Sequence, residues 1–392
     1  MSAARILFYV QHLLGVGHLM RAARLARGLA EAGFAVELVS GGPPVPGLDL
    51  GRARLFQLPP LRSRDESFAV LVDAEGRAVD AAWLAARRER LLAFFQAQPP
   101  DVLMLEMFPF GRRQMRFELL PLIELALAAR PRPLLVASVR DIVQARRKPG
   151  RNEETAALVE RAFDLVLVHG DPALVHFESS FPLADRLGGR LRYTGYVAAP
   201  PPKRGRPGDP GWDEVVVSGG GSAVGAVLLA TALAARPLTR LATAPWRLLA
   251  GGGVPDADFR GLAAQAPMGV IVERARPDFP QILANCHVSV SQAGYNTAMD
   301  VLNAGVPAVL VPFVGQGETE QSLRAERLAE RGLVQLVAAR DLTPHRLAAA
   351  VDAASLMRHP SGLQLDRGGI ARSAAILAAR LAEHRSRGGA LP

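Results

Sequence analysis

The sequence predicts an α/β protein of two domains, each built on a mostly parallel sheet with helices on both faces. Short apolar runs alternate with longer segments of helical periodicity along most of the chain, which is typical of such sheets. A proline- and glycine-rich stretch, residues 198–211, interrupts this alternation, and the same pattern begins again after it. The length of 392 residues also exceeds that of one ordinary core, so two domains are expected.

The first half begins with a predicted strand, a glycine-containing loop, a helix and a second strand. The strand covers Arg5–Val10, the loop contains Gly15, Gly17 and His18, and Gly33 ends the helix. Further strands are predicted at 35–39, 102–105, 134–139 and 165–168, with helices at 80–98, 117–129 and 155–163.

The second half repeats this order after the proline-rich stretch. The predicted boundaries are 1–197 for the N-terminal domain, 198–212 for a linker, 213–370 for the C-terminal domain and 371–392 for a last helix. Whether that helix packs back on the N-terminal domain is left open. Strands are predicted at 214–218, 247–250, 269–272, 288–291 and 308–311, with helices at 224–235 and from Tyr295 onwards.

Composition and charge narrow the class of protein. Apolar residues make up 49% and charged residues 21%, as in globular proteins. The formal net charge of +9 rests mostly on arginines spread along the chain, which indicates solvated helix faces; attraction to an anionic substrate or a lipid surface is the alternative. No nucleic-acid partner is expected, because no aromatic-basic interleaving or reading motif accompanies the charge.

Cysteine usage and hydropathy bear on the cellular location. The single cysteine, Cys286, excludes an intramolecular disulfide and is expected to be a small buried residue. No apolar run reaches the roughly 20 residues of a membrane span, and the first apolar run is too short for a signal-peptide core. A cytoplasmic protein is therefore expected, with peripheral contact to the inner face of the membrane left open.

The first candidate site follows the predicted strand at 214–218. Gly219, Gly220, Gly221 and Ser222 stand between that strand and a helix. Glycines allow the backbone to approach a ligand closely, and a helix N-terminus attracts an anion. The alternative is that the glycines only shape the turn.

The second candidate site follows the predicted strand at 288–291. Gly294 removes a side chain from the loop, and backbone N–H groups with Asn296 and Thr297 can accept a pyrophosphate. Asp300 lies about one helical turn further, where its carboxylate can bind two ribose hydroxyls. The alternative is that Asn296 and Thr297 only cap the helix.

The order Gln292-x-Gly294-x-Asn296-Thr297-x-x-Asp300 is similar to the donor signature His-x-Gly-x-Asn-Ser/Thr-x-x-Glu of GT-B nucleotide-sugar glycosyltransferases. The chain most resembles the MurG-like group, glycosyltransferase family 28, which includes uncharacterised predicted glycosyl transferases. This resemblance implies the GT-B fold, in which two Rossmann-like domains with parallel sheets face each other across a cleft.

The resemblance further implies an inverting transfer of a hexosyl group, N-acetylhexosaminyl included, from an NDP-sugar to an acceptor. A UDP-sugar is the expected donor, and lipid-linked molecules and glycans are the acceptor classes left open. An NDP-sugar hydrolase or 2-epimerase of the same fold is the alternative, and a nucleotide-sugar or nucleic-acid binding protein ranks below both.

The resemblance also assigns roles to residues. It implies phosphate contacts for Gln292 and Gly294, ribose binding for Asp300, and contacts with hydroxyls of the donor sugar for Glu320 and Gln321. The segment that ends at Arg274 corresponds to the place where the nucleotide base meets main-chain groups. Two departures are Gln292 in place of the commoner His and Asp300 in place of Glu; without a histidine, neutralisation of the leaving group depends on amides, the helix dipole or an arginine.

His18 is the candidate base or acceptor-orienting residue, in a loop that also contains Gly15 and Gly17. Alternatively it caps the first helix or contacts the sugar without moving a proton. Glu106 and Asp141, both after predicted strands, are further base candidates. Their alternative role is to pair with one of the arginines at positions 112, 113 and 140.

His12, His169 and Asp171 are weaker candidates for loop contacts or for the base. The histidines show no metal-ligand grouping, so the reaction is expected to need neither a metal nor another cofactor. The apolar segment 107–110, beside Arg112 and Arg113, either meets a lipid-linked or anionic acceptor or is a buried loop with a solvated end.

Overall fold

A computed structural model describes residues 3–65, 68–144, 149–221, 225–315, 319–358 and 365–386. The chain divides into two compact units. Unit 1 comprises Met1–Val197 together with Leu365–Pro392, and unit 2 comprises Ala198–Gln364. Each unit has its own parallel sheet.

Unit 1 contains a seven-stranded, wholly parallel sheet of order β3-β2-β1-β6-β7-β8-β9 and a separate antiparallel pair, β4-β5. Strands β6 and β8 are buried along their whole length, because each is an almost continuous apolar run covered on both faces. The strands are β1 (Arg5–Val10), β2 (Ala35–Ser40), β3 (Arg54–Gln57), β4 (Arg62–Ser63), β5 (Leu71–Val72), β6 (Val102–Glu106), β7 (Leu134–Arg140), β8 (Leu165–His169) and β9 (Leu191–Tyr193).

Helices cover both faces of this sheet. Asp80 caps the second helix, and its carboxylate accepts a hydrogen bond from the Trp83 amide at 2.8 Å. The α-helices of unit 1 are α1 (Gly17–Glu31), α2 (Ala81–Ala97), α3 (Arg116–Ala128), α4 (Arg151–Ala162) and, from the end of the chain, the helix Gly369–Ser386; the 3-10 helices are Arg113–Met115, Phe177–Ser179 and Ala184–Arg190.

The last helix, Gly369–Ser386, packs against α1 within unit 1. A Cβ added to Gly28 would lie 2.1 Å from Cγ2 of Ile370, so the two helices touch where α1 has no side chain. Leu377 and Leu381 of the last helix are buried in the same apolar cluster as Leu25 and Leu29 of α1. The final segment of the chain is therefore part of the core of unit 1.

Unit 2 contains a six-stranded parallel sheet of order β12-β11-β10-β13-β14-β15. Its strands are β10 (Val215–Ser218), β11 (Trp246–Ala250), β12 (Val270–Arg274), β13 (Val288–Ser291), β14 (Ala308–Leu310) and β15 (Gln335–Leu336). Its α-helices are α5 (Gly225–Ala235), α6 (Asp256–Gln265), α7 (Phe279–Asn285), α8 (Tyr295–Ala304), α9 (Glu320–Glu330) and α10 (Pro344–Ser355), which makes Gly369–Ser386 helix α11; the 3-10 helices are Arg236–Leu238 and Ala339–Asp341.

The predicted strands coincide with the inner strands of the two sheets and with the edge strand β12, with ends that differ by at most two residues. The edge strands β3, β9 and β15 were not predicted. They are short and at least partly exposed, so they lack the continuous apolar run by which the inner strands are identified. The helix predicted at 155–163 begins earlier, at Arg151.

Candidate functional site

In a parallel sheet, the loops after all strands lie along one edge, and functional side chains collect there. In unit 1 the adjacent strands β1, β6, β7 and β8 bring four predicted or neighbouring polar residues to this edge. Glu106, Arg140 and His169 are the last residues of β6, β7 and β8, and His18 is the second residue of α1, after β1.

His18 contacts Glu106. The Nδ1 atom of His18 lies 3.2 Å from Oε1 of Glu106, and the Glu106 side chain is fully buried. The same carboxylate forms an ion pair with Arg21 and accepts a hydrogen bond of 2.8 Å from the Ser138 hydroxyl. Glu106 is thus held by three partners, and it fixes the orientation of the His18 ring.

The other ring nitrogen of His18 faces Arg140. Nη2 of Arg140 lies 3.2 Å from Nε2 of His18. A guanidinium can only donate, so we assign the lone pair to Nε2 and the proton to Nδ1, which donates to Glu106. Burial, followed by the positive charges of Arg112, Arg140 and Arg21, lowers the pKa of His18 well below its ordinary value. His18 is therefore a neutral imidazole whose basic nitrogen is Nε2.

Glu106 does not pair with Arg112 or Arg113, which were among the expected partners, but with Arg21. The reason is topological: β1 and β6 are neighbours in the sheet, so the first turns of α1 lie beside the end of β6. His18 does not cap α1, because the N-cap position is Val16 and no side chain forms a cap hydrogen bond there.

The remaining polar side chains at this edge form hydrogen bonds with neighbouring residues of unit 1. Asp141 is buried and accepts hydrogen bonds from the Ile142 amide at 2.9 Å and from the Tyr196 hydroxyl at 3.4 Å. His169 is buried between the hydroxyls of Ser138 and Thr194, at 3.0 and 2.9 Å.

The weaker candidates of unit 1 differ in exposure. His12 is buried, which, together with the charge of Arg112, lowers its pKa to about 4. Asp171 accepts hydrogen bonds from the backbone of Ala173 and of Asp366. Gly15 and Gly17, by contrast, lie exposed before His18.

Segment 107–110 is a buried loop, as one of the two sequence interpretations had it. The side chains of Met107, Phe108 and Phe110 are at most 4% exposed. Phe110 packs edge-on against Phe177 and Phe181, with ring centroids 5.5 and 5.0 Å away. The segment is therefore core rather than a surface for a lipid.

In unit 2 the loops after β10, β11 and β13 touch one another, because β10 lies between β11 and β13. Gly220 has φ +68°, and a Cβ added there would lie 2.6 Å from Oε1 of Gln292. A Cβ on Gly251 would collide with the carbonyl oxygen of Gly220, and Gly251 follows β11. Gly219 donates a backbone hydrogen bond to Leu249 at 3.2 Å, so the glycine loop is fixed by both neighbours.

Gly221 differs from the two glycines before it. It is exposed, and no atom lies within 4 Å of an added Cβ. Ser222, the last predicted residue of this loop, lies outside the described residues.

The loop after β13 leads directly into α8, which begins at Tyr295 as predicted. Gly294 is the N-cap residue, and no side chain forms a cap hydrogen bond, so Asn296 and Thr297 do not cap the helix. Asn296, Thr297 and Asp300 share one face of α8 and are half-buried, whereas Tyr295, Ala298 and Met299 face the core. The half-exposed side therefore presents polar groups of the predicted donor motif together with the N-terminal end of the helix.

Arg324 connects the other predicted donor residues to this loop. Its Nη2 donates to Oε1 of Glu320 at 2.8 Å, and its Nη1 donates to the Ala293 carbonyl at 3.1 Å. Gln321 accepts a hydrogen bond of 3.1 Å from the Phe313 amide. Arg324 is fully buried and brings a positive charge to a loop whose motif has Gln292 where a histidine is common.

Arg274 lies at the end of β12, where its side chain is bound to neighbouring backbone. Its guanidinium donates to the carbonyls of Gly251 and Val254, at 3.3 and 2.7 Å, and pairs with Asp256. It also stacks over the ring of Phe259, 4.3 Å from the centroid.

Three residues with direct roles in this geometry were not identified from the sequence: Arg21, Ser138 and Arg324. Arg21 and Ser138 reach Glu106 from other elements, and nothing in their sequence neighbourhood shows this. Arg324 stands four residues after Glu320, a spacing at which side chains meet on one helix, and that signal could have identified it. Within the described ranges, no group of three or more histidine, cysteine or carboxylate side chains is placed to hold a metal ion.

None of the helices in the described part of the chain combines the length and the apolar character needed to cross a bilayer.

The chain is similar to known proteins both in sequence and in fold. The model of the glycosyltransferase family 28 C-terminal domain matches residues 256–364, which include α8 and α9. A curated relative is the UDP-N-acetylglucosamine--N-acetylmuramyl-(pentapeptide) pyrophosphoryl-undecaprenol N-acetylglucosamine transferase of Rhizobium etli, 32% identical over 89 residues, which is 23% of this chain and 24% of the relative. The enzyme of the same name from Brucella canis is 34% identical over 87 residues, 22% of either chain. The match thus spans about a quarter of the length of these relatives.

Solved structures resemble the chain over nearly its whole length. The calicheamicin glycosyltransferase CalG4 has a TM-score of 0.64 at 20% identity, covering 97% of this chain and 99% of that one. MurG of Acinetobacter baumannii has a TM-score of 0.54 at 16% identity, with the same coverages. The predicted GT-B fold is confirmed by these structures, and the resemblance to family 28 is confirmed over residues 256–364.

Proposed function

We propose that this chain, whose residues 256–364 belong to the glycosyltransferase family 28 C-terminal domain, is an inverting glycosyltransferase. It moves a hexosyl group from an NDP-sugar, with a UDP-sugar as the favoured donor, to an acceptor hydroxyl. Unit 2 binds the donor, and unit 1 binds the acceptor and supplies the base. The observation that carries the proposal is the loop after β13, where one half-exposed face combines Gln292, Asn296, Thr297 and Asp300 with a helix start.

The donor diphosphate would lie against this loop. The positive end of the α8 dipole favours a dianion, and Gln292 can donate a further hydrogen bond. Gly220 and Gly221 allow the phosphates to approach the neighbouring backbone. Asp300 lies six residues after Gly294, which at 1.5 Å per residue is about 9 Å along the helix. That separation suits a carboxylate that binds the ribose while the helix start binds the phosphates.

The buried charge of Arg324 supports the same assignment. It donates to the Ala293 carbonyl and pairs with Glu320, and so it fixes the loop against which the diphosphate would lie. We propose that the leaving group is stabilised by these groups without a divalent ion. A rate unchanged by excess EDTA would agree with this, and a rate abolished by EDTA and restored by Mg²⁺ or Mn²⁺ would contradict it.

His18 is the proposed base. Nε2 removes the proton from the acceptor hydroxyl while the hydroxyl oxygen attacks the anomeric carbon, and the bond from that carbon to the diphosphate oxygen breaks. A single displacement of this kind inverts the configuration. Glu106 accepts the Nδ1 proton in a hydrogen bond and stabilises the imidazolium that forms, as the buried acid of a catalytic triad does.

The surroundings of His18 suggest the kind of acceptor. Leu14, Val16 and Met20, on the loop and first turn around His18, are 45%, 43% and 38% exposed. Three exposed apolar side chains beside a proposed base favour an acceptor with an apolar part. The transferases from Rhizobium and Brucella are named for an undecaprenol-linked acceptor, which has such a part.

A panel of nucleotides and nucleotide sugars, screened by thermal shift and then by product analysis without an acceptor, tests the proposal. Stabilisation by one nucleotide and its sugars, with release of the sugar that is slow compared with transfer to a supplied acceptor, is the expected result. Rapid release or isomerisation without an acceptor would instead establish the hydrolase or 2-epimerase alternative. No stabilisation by any nucleotide would contradict donor binding altogether.

A further inference from the structure

We infer that Arg112 binds an anionic group, a phosphate or a carboxylate, carried by the acceptor next to the hydroxyl that reacts. The inference rests on the proposed function, because His18 as base is what makes the neighbouring ligand the acceptor. It goes further by assigning a charge class to that acceptor and a residue that recognises it.

Three arginines bring positive charge to the surroundings of His18. Arg21, Arg112 and Arg140 all act on the His18 ring. The nearest carboxylate, Glu106, is already engaged by Arg21, by His18 and by the Ser138 hydroxyl.

Arg112 is the cation of this group for which the described residues provide no direct ion pair, although Glu106 attracts it from a distance. No carboxylate in the described ranges forms an ion pair with it, and its Nε is buried without a hydrogen-bond partner there. Burial, and then the charge of Arg140, lower the pKa of Arg112 to about 10. A guanidinium buried without an anion is costly, and an anionic ligand would remove that cost.

The backbone supports this interpretation. Arg112 has φ 56° and Met107, at the start of the same loop, has φ 63°, both in the left-handed region that favours glycine. Such conformations cost about 1–3 kcal/mol each and persist where surrounding structure enforces them, often at ligand sites. Here the buried rings of the loop anchor it, and the half-buried Arg112 acts electrostatically on His18 and His12.

The next residue in the sequence, Arg113, differs from Arg112 because it has an ion-pair partner. Arg113 follows directly in sequence, yet its Nη1 donates to Glu154 at 2.7 Å in a partly exposed ion pair. Its charge is satisfied within the protein. Arg113 is thus a matched control: same residue type, same loop, and no function in the inference.

The test is a titration of the protein with inorganic phosphate and, separately, with acetate at constant ionic strength, followed through the His18 and His12 ring resonances by NMR. Phosphate or acetate should shift both resonances in wild type, and Arg112→Gln should weaken the affinity at least tenfold. Arg112→Lys, which keeps the charge, should retain most of it, and Arg113→Gln should bind like wild type. The anion that binds more tightly identifies the group on the acceptor.

Equal affinities in wild type and Arg112→Gln, or resonances of His18 that do not respond to either anion, would overturn the inference. If Arg112→Gln is poorly folded, the wild-type titration still decides, because His18 resonances that respond to neither anion at constant ionic strength would overturn the inference. The titration uses neither a donor nor turnover. Failure of the proposed transferase activity would therefore leave its result intact, and the reverse also holds.

Discussion

Replacing Glu106 by glutamine removes the charge that faces the proposed base and keeps the shape of the side chain. In the folded protein Glu106 lies 3.2 Å from Nδ1 of His18 and has no exposed surface. The reaction converts neutral His18 into an imidazolium, so the carboxylate stabilises the transition state more than the ground state. We expect Glu106→Gln to lower kcat with little change in the affinity for nucleotide.

The magnitude follows from the distance. Two unit charges 3.2 Å apart at an effective dielectric constant near 20 attract each other by about 5 kcal/mol. Arg21 shares the same carboxylate oxygen, so only part of this acts on His18. A loss of about 3 kcal/mol corresponds to roughly a hundredfold decrease in kcat. Ser138→Ala, which removes only a hydrogen bond to Glu106, should cost about tenfold or less.

The assay is release of the nucleoside diphosphate at saturating donor, with the best acceptor of the panel, together with calorimetric titration of the nucleotide. Glu154→Gln is the control, since Glu154 is a partly exposed acid of unit 1 paired with Arg113 and Arg116. Urea unfolding of each variant separates a catalytic loss from a loss of folded protein. If folded Glu106→Gln retained more than about a fifth of the wild-type kcat, the assignment of His18 and Glu106 as base and partner would be refuted.

Three further predictions concern the donor loop and the buried histidines. Asp300→Ala should weaken UDP binding about ten- to a hundredfold in calorimetry, as expected for the loss of hydrogen bonds to a charged group, while the exposed Asp258→Ala on α6 stays at wild-type affinity; equal affinities for both would remove Asp300 from the site. Gly220→Ala should lose about 1–3 kcal/mol of stability in urea, because of its φ of +68° and its contact with the loop after β13, whereas Gly221→Ala should unfold like wild type; similar midpoints for the two would contradict the packing. Burial lowers the pKa of His12 from 6.5 to about 4, so the unfolded chain takes up a proton that the folded chain does not. The free energy of unfolding should therefore fall as the pH drops from about 6.5 towards 4. A urea midpoint at pH 5 equal to that at pH 7, or a decrease that is undiminished in His12→Gln, would contradict this.

The sequence predicted those parts of the site that are local in the chain. The order from Gln292 to Asp300 combines a strand end, a glycine and a helix start within nine consecutive positions, and α8 begins at the predicted residue. The inner strands were predicted for the same reason, since each is a short apolar run that no other arrangement buries as well.

The contacts between distant segments could not be predicted, because they depend on the order of strands in each sheet. His18 meets Glu106 only because β1 and β6 are neighbours, and Ser138 reaches that carboxylate because it lies opposite Glu106 in the β6–β7 register. In unit 2, Gln292 contacts Gly220 because the strand before Gln292, β13, pairs with the strand before Gly220, β10. These two strands are not consecutive in the chain. The edge strands β3, β9 and β15 were not predicted, because short, partly exposed strands lack a continuous apolar run.

Helix α11 has a consequence for the order in which the protein can fold during synthesis. The apolar cluster that contains Leu25 and Leu29 of α1 is completed by Leu377 and Leu381 of α11, which are translated after residues Ala198–Gln364. Chains fold from the N-terminus as they leave the ribosome. Part of the apolar surface of α1 is therefore exposed until the second half of the chain has emerged. A nascent chain stopped at residue 364 would depend on chaperones to avoid aggregation.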